Sequence, residues 1–103
     1  MYRQGDVLLV PVKSVGKVGT AFHPLDTKIV QRGETTGHAH RIEGPGVALL
    51  GYTDEQPEFV KVDPGGQAFL RHEEHAEIEL PEGTYRIIRQ REWSPEGERR
   101  VRD

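Results

Sequence analysis

A chain of 103 residues with 34% hydrophobic and 30% charged side chains has room for one small, soluble domain, with a thin core and long solvated edges. It contains no cysteine, which excludes disulfide staples, thiolate ligands and thiol nucleophiles and fits a cytoplasmic setting. Its net charge of −3 gives no general attraction to nucleic acid, and no apolar run approaches the ~20 residues of a membrane-spanning helix.

Met1 to Asp6 lacks the basic segment and long apolar run of a secretory leader. Val7 to Val12 is nearly all apolar and reads as a strand buried on both faces, with Pro11 near an edge or bend. Residues 13–27 are small and polar and contain His23-Pro24, so a flexible surface loop is expected there. Ile29 and Val30 begin the next strand. His38 to Glu43 and Val47 to Tyr52 flank Gly44-Pro45-Gly46 and read as the clearest hairpin in the chain. Glu58 to Val62 and Gln67 to His72 are short strands around the turn Asp63-Pro64-Gly65-Gly66. Ala76, Ile78 and Leu80 alternate with acids, the period of a half-buried strand, and Thr84 to Trp93 is the longest strand-like run. Residues 94–103 read as a charged tail. No segment has sustained helical spacing, so the chain is expected to be mainly β: one barrel or sandwich of about seven or eight short strands over 1–103.

Four of the five histidines carry the functional reading. On a strand, His38 and His40 face the same way about 6–7 Å apart, close enough to converge on one ion with Zn–N bonds of about 2.0–2.1 Å. Ile42 shares that face, which turns it inward. His72 and His75 are separated only by Glu73-Glu74. A two-residue turn there would oppose the two rings, but it would also set Leu70 opposite Glu77, so a bulge or a looser turn must intervene. His23, beside Pro24, reads as a surface residue or a lid contact. Glu34, Glu43, Glu73 and Glu74 lie near the pairs and could complete a ligand shell, orient a ring or act as a base. Imidazole donors suit zinc first, with iron, manganese and nickel also accommodated.

The run Gly33-Glu34-Thr35-Thr36-Gly37-His38-Ala39-His40, followed by Glu43 and a glycine-rich turn, resembles the first motif of the cupins. The resemblance implies a small β-barrel with an internal metal, serving dioxygenases, isomerases or non-catalytic sensors. It extends over about a dozen residues and carries over to His38 and His40, since Glu43 follows His40 more closely than the family's glutamate does. The family's Pro-x-Gly precedes its last histidine, whereas Pro81-x-Gly83 follows His72 and His75.

Other chemistries find less support. No phosphate-binding glycine loop or Gly-x-Ser-x-Gly setting is present. Residues 86–103 contain six arginines against four acids, and Arg86, Arg89 and Arg91 are interleaved with Tyr85 and Trp93. Such a strand can bind single-stranded nucleic acid or phosphate, although Tyr85 and Ile87 are expected to face the core and the acidic remainder argues against nucleic acid. The sequence therefore points to a metal-binding β-barrel protein, with Glu43 or Glu34 as the proton-transfer group if it acts on a small polar substrate. The alternative is a non-catalytic interaction module using the Arg-rich C-terminus. A homo-oligomer is compatible with either, and membrane association with neither.

Overall fold

The computed structural model describes residues 1–13, 22–32 and 37–89 in full, and the backbone of 91–94 and 97–100. The described residues form β-strands and no helix, and every strand pairing is antiparallel. No helix is therefore long and apolar enough to cross a membrane.

The chain opens with β1 (Tyr2–Gln4), which pairs with β2 (Val7–Val12) through a two-residue turn at Gly5-Asp6. Gly5 has φ 58°, and a glycine with positive φ at the first central position fits a type II′ turn, whose twist matches the flanking strands. After β3 (His23–Pro24) and β4 (Ile29–Arg32) the chain enters β5 (Ala39–Glu43), β6 (Val47–Gly51) and β7 (Pro57–Val62). It then runs through β8 (Ala68–Arg71), β9 (Ile78–Leu80) and β10 (Gly83–Arg89). A separate ribbon of β11 (Arg91–Ser94) and β12 (Gly97–Arg100) follows, so backbone pairing extends into the segment expected to be a charged tail.

One sheet has the order β1-β2-β10-β7-β6-β3 and the other β4-β5-β8-β9. They share one buried cluster, with Val7, Leu9, Leu49, Val60 and Ile87 from the first sheet and Ile42, Leu70 and Leu80 from the second. Burying each such side chain is worth about 1.5–3 kcal/mol, and this apolar contact holds the sheets together. The mainly-β expectation is met. Among the described strands, however, the two sheets remain separate and do not close into one barrel.

The hairpin expected at Gly44-Pro45-Gly46 is not formed. β5 belongs to the four-stranded sheet and β6 to the six-stranded one, so the chain changes sheets at this turn. The turn's polar groups explain why. The Pro45 and Gly46 carbonyls accept hydrogen bonds from Gln67 (3.0 Å) and Asp63 (2.8 Å), at the ends of the β7–β8 connection, which also changes sheets. The two crossovers pack so closely that a Cβ on Gly44 would lie 1.8 Å from the Gln67 carbonyl oxygen.

The sheets are also joined by Arg89 at the end of β10. Its Nη2 donates to the carbonyls of Val30 (2.9 Å) and Pro57 (2.7 Å), and its Nε donates to Gln31 Oε1 (2.6 Å). This arginine of the basic run thus serves inside the fold. Tyr85 and Ile87 face the core as expected, while Arg86 and Ile88 are exposed.

Candidate metal centre

The four histidines singled out from the sequence come together at one end of the four-stranded sheet. The cause lies in strand register. β5 and β8 pair with Arg41 opposite Arg71 and Ile42 opposite Leu70. One step further along the same antiparallel register sets His40 opposite His72, on the inward face shared with Ile42 and Leu70. Their ring centroids are 4.4 Å apart.

His75 enters from the loop between β8 and β9. Its ring lies 4.6 Å from that of His72 and stacks on that of His40 at 5.8 Å. His38, two residues before His40, meets the His72 ring edge-on at 5.7 Å. His40 is fully buried and His72 nearly so, whereas the His38 side chain is 23% exposed. Nδ1 of His38 and Nε2 of His40, His72 and His75 are all shielded from solvent. His23 lies apart, exposed on β3.

The hairpin joining β8 to β9 is looser than a two-residue turn. Leu70 pairs with Ile78 and Ala68 with Leu80, so all four apolar side chains point the same way. The extra length leaves His72 to His75 outside the ladder, where local contacts shape them. The backbone N–H of Glu74 donates to His72 Nδ1 at 3.0 Å. In a neutral His72 the proton then sits on Nε2, so ligation through Nε2 requires that amide bond to be released.

Glu73 reaches back to β5. Its Oε1 accepts from the Ala39 N–H at 2.9 Å, and its Oε2 accepts from the Arg41 guanidinium. These hydrogen bonds hold its carboxyl well below the usual carboxylate range, at about 2. His38, His72 and Glu73 each place a donor atom within 4.8 Å of the others. Glu74 Oε1 lies 3.8 Å from His38 Nδ1.

Glu43 sits with Ala39 and Arg41 on the opposite alternation of β5 from His40. It is exposed and ion-paired with Arg71 at 2.7 Å; Arg71 also holds Glu77 at 2.7 Å. Glu34 lies outside the described residues.

Two buried polar residues at this site have no motif to announce them. Gln4 Oε1 lies 2.9 Å from His40 Nδ1, and its amide nitrogen donates to the carbonyls of Leu70 (3.0 Å) and Ala76 (2.8 Å). Asp6, at the tip of the same hairpin, places Oδ1 3.4 Å from His40 Nε2. The only sequence signal was polarity beside a strongly apolar strand, a pattern shared by ordinary turns.

No curated protein and no solved structure matches the chain. A family model does match, over residues 3–90, a span that contains every residue of this cluster. The chain belongs to that family, described as a domain of unknown function (DUF8820).

Proposed function

We propose that this chain binds a divalent metal ion among His38, His40, His72 and His75, at one end of a β-sandwich made by its two sheets. The observation that carries the reading is the convergence of four imidazoles from two distant segments, with ring centroids 4.4–5.8 Å apart. Exposed histidines on loops have no reason to gather with their ring nitrogens turned away from water. Bonds of about 2.0–2.1 Å would require the rings to turn toward one another, and His72 to release the Glu74 amide if it binds through Nε2.

Zinc is the first choice for such a donor set, with iron, manganese and nickel next. The likeness of His38-x-His40 to the cupin element points the same way. His38 and His75 are half-buried whereas His40 and His72 are buried, so the half-buried pair forms the solvent-facing side of the centre. An ion bound there would supply Lewis-acid chemistry toward water or a small polar substrate. The absence of cysteine suits a cytoplasmic location.

The test is metal analysis and calorimetric titration of wild type beside a His38→Ala, His75→Ala double variant. These two rings are the less buried members of the cluster, so the variant should retain its fold. Wild type is expected to carry about one equivalent of zinc, with affinity at least 100-fold above that of the variant. A wild-type protein from metal-replete growth that neither carries nor takes up a divalent ion would sink the reading.

A further inference from the structure

We infer that Glu73 and Arg41 are positioning residues of the metal centre, a clamp that holds the His72–His75 loop against the His38-x-His40 strand. The inference rests on the metal reading above and adds to it the side chains that set the two histidine pairs relative to each other.

Strand geometry shows why a clamp is needed. β8 ends at Arg71 and β9 begins at Ile78, so the loop that carries His72 and His75 has no ladder of its own. Successive N–H groups of β5 point to opposite sides. That of Ile42 donates away from β8, to the Lys28 carbonyl at 2.9 Å, so those of Arg41 and Ala39 point toward β8. Arg41 has Arg71 opposite it, and the same register carried two steps on sets Ala39 opposite Glu73. There β8 has already ended. The Glu73 side chain supplies the acceptor instead, its Oε1 taking the Ala39 N–H at 2.9 Å. A carboxylate thus stands in for a strand carbonyl. The loop can leave the ladder and stack the His75 ring on that of His40 without orphaning the amide.

The other Glu73 oxygen is held by the Arg41 guanidinium, which also donates to the carbonyls of Gly37 (3.3 Å) and Ala39 (3.5 Å). The three successive peptide groups from Gly37 to His40 are therefore each bound by one of these two side chains. Ala39 lies on the same outward alternation of β5 as Arg41, yet it is only 2% exposed.

Folding stability alone is a weak reason for the pair. The Glu73 and Arg41 side chains are 33% and 35% exposed, and ion pairs so open to water contribute little to folding. What they constrain is placement. Glu73 follows His72 directly, and Arg41 follows His40 directly, so each half of the clamp fixes the backbone beside one of the facing rings. Groups that orient histidine ligands without touching the ion commonly govern metal affinity by about 10–100-fold.

Glu73 also places an oxygen within 4.8 Å of donor atoms on His38 and His72, so the experiment must separate a clamp from a ligand. It compares wild type with Glu73→Ala, Arg41→Met and the double variant. Zinc affinity is read by competition with a chromophoric chelator, the cobalt(II)-saturated proteins give visible spectra, and the metal-free proteins give melting temperatures. Each single variant is expected to bind zinc about 10–100-fold more weakly than wild type, with a metal-free melting temperature within about 5 °C of it. The double variant should lose no more than the weaker single one, because the two side chains act as a unit. The cobalt band should keep its wild-type position throughout, since the donor atoms are unchanged. Unchanged zinc affinity in either single variant, or losses that multiply in the double, overturn the inference while the metal reading stands. A cobalt band shifted by Glu73→Ala and not by Arg41→Met makes Glu73 a ligand and overturns it too. So does a variant that fails to fold, because the pair is then a folding contact. If wild type binds neither ion, the metal reading falls and takes the inference with it.

Discussion

Gln4 and His40, 36 residues apart, share a buried hydrogen bond of 2.9 Å in which the ring donates and the amide oxygen accepts. The same glutamine holds the carbonyls on either side of the His72–His75 segment, those of Leu70 and Ala76. One side chain thus ties the first hairpin to both histidine pairs. Replacing Gln4 with leucine keeps most of the volume and removes three hydrogen bonds. We expect a loss of about 2–4 kcal/mol in stability, measured as a lowered urea midpoint at unchanged slope.

Arg89 should behave as an inter-sheet clasp. Arg89→Met preserves the aliphatic stem but none of the three hydrogen bonds to Val30, Gln31 and Pro57. The expected cost is about 2–3 kcal/mol. Arg89→Lys should recover little of it, because an ammonium group cannot reproduce the planar fork that serves three acceptors. Denaturant titration of the two variants side by side checks both statements.

Two glycines with positive φ should respond very differently to alanine. Gly44 has φ +129° and a neighbouring backbone oxygen where the new methyl must go, so Gly44→Ala should cost more than about 2 kcal/mol. Gly65 has φ +82° with open space around it, and Gly65→Ala should cost only about 1 kcal/mol of backbone strain. Equal losses would mean that the packing of the two crossovers is not what constrains Gly44.

Tyr85 gives the fold an alkaline limit. Burial pushes its hydroxyl above the ordinary value of 10.0, and it donates to the Pro81 carbonyl at 2.6 Å. The neutral form is thus favoured in the folded protein more than in the unfolded chain. Its contribution is complete below about pH 10 and is lost as pH rises through the folded value. Tyr85→Phe should cost about 1 kcal/mol at neutral pH and flatten the decline above pH 10. Urea unfolding between about pH 8 and 11.5 measures both effects.

Much of this architecture was legible in the sequence because strand burial writes a local pattern. The run Val7 to Val12 and the alternation of Ile78 and Leu80 needed no distant partner to be read. Sheet membership was not legible, because Gly44-Pro45-Gly46 serves a hairpin and a crossover equally well, and the Gln67 and Asp63 amides that decide it lie 22 and 17 residues beyond the carbonyls they bind. The mismatch of Leu70 with Glu77 correctly signalled that a tight turn after His72 could not hold, and the observed pairing of Leu70 with Ile78 resolves it. The His-x-His spacing exposed one half of the cluster. That His72 faces His40 depends on the β5–β8 register, and the presence of Gln4 and Asp6 depends on the packing of a hairpin that carries no motif.

The rims of the two sheets bear on how the molecule meets copies of itself. A long, flat outer strand offers a row of open amides and carbonyls on which a second chain can build, the first step of fibril growth. Here the outermost strands are β1 and β3 on one sheet and β4 and β9 on the other. They span three, two, four and three residues. Pro24 removes a donor from β3, and a register shift breaks β4 between Ile29 and Gln31. At those four borders the described strands give a neighbouring chain little to extend.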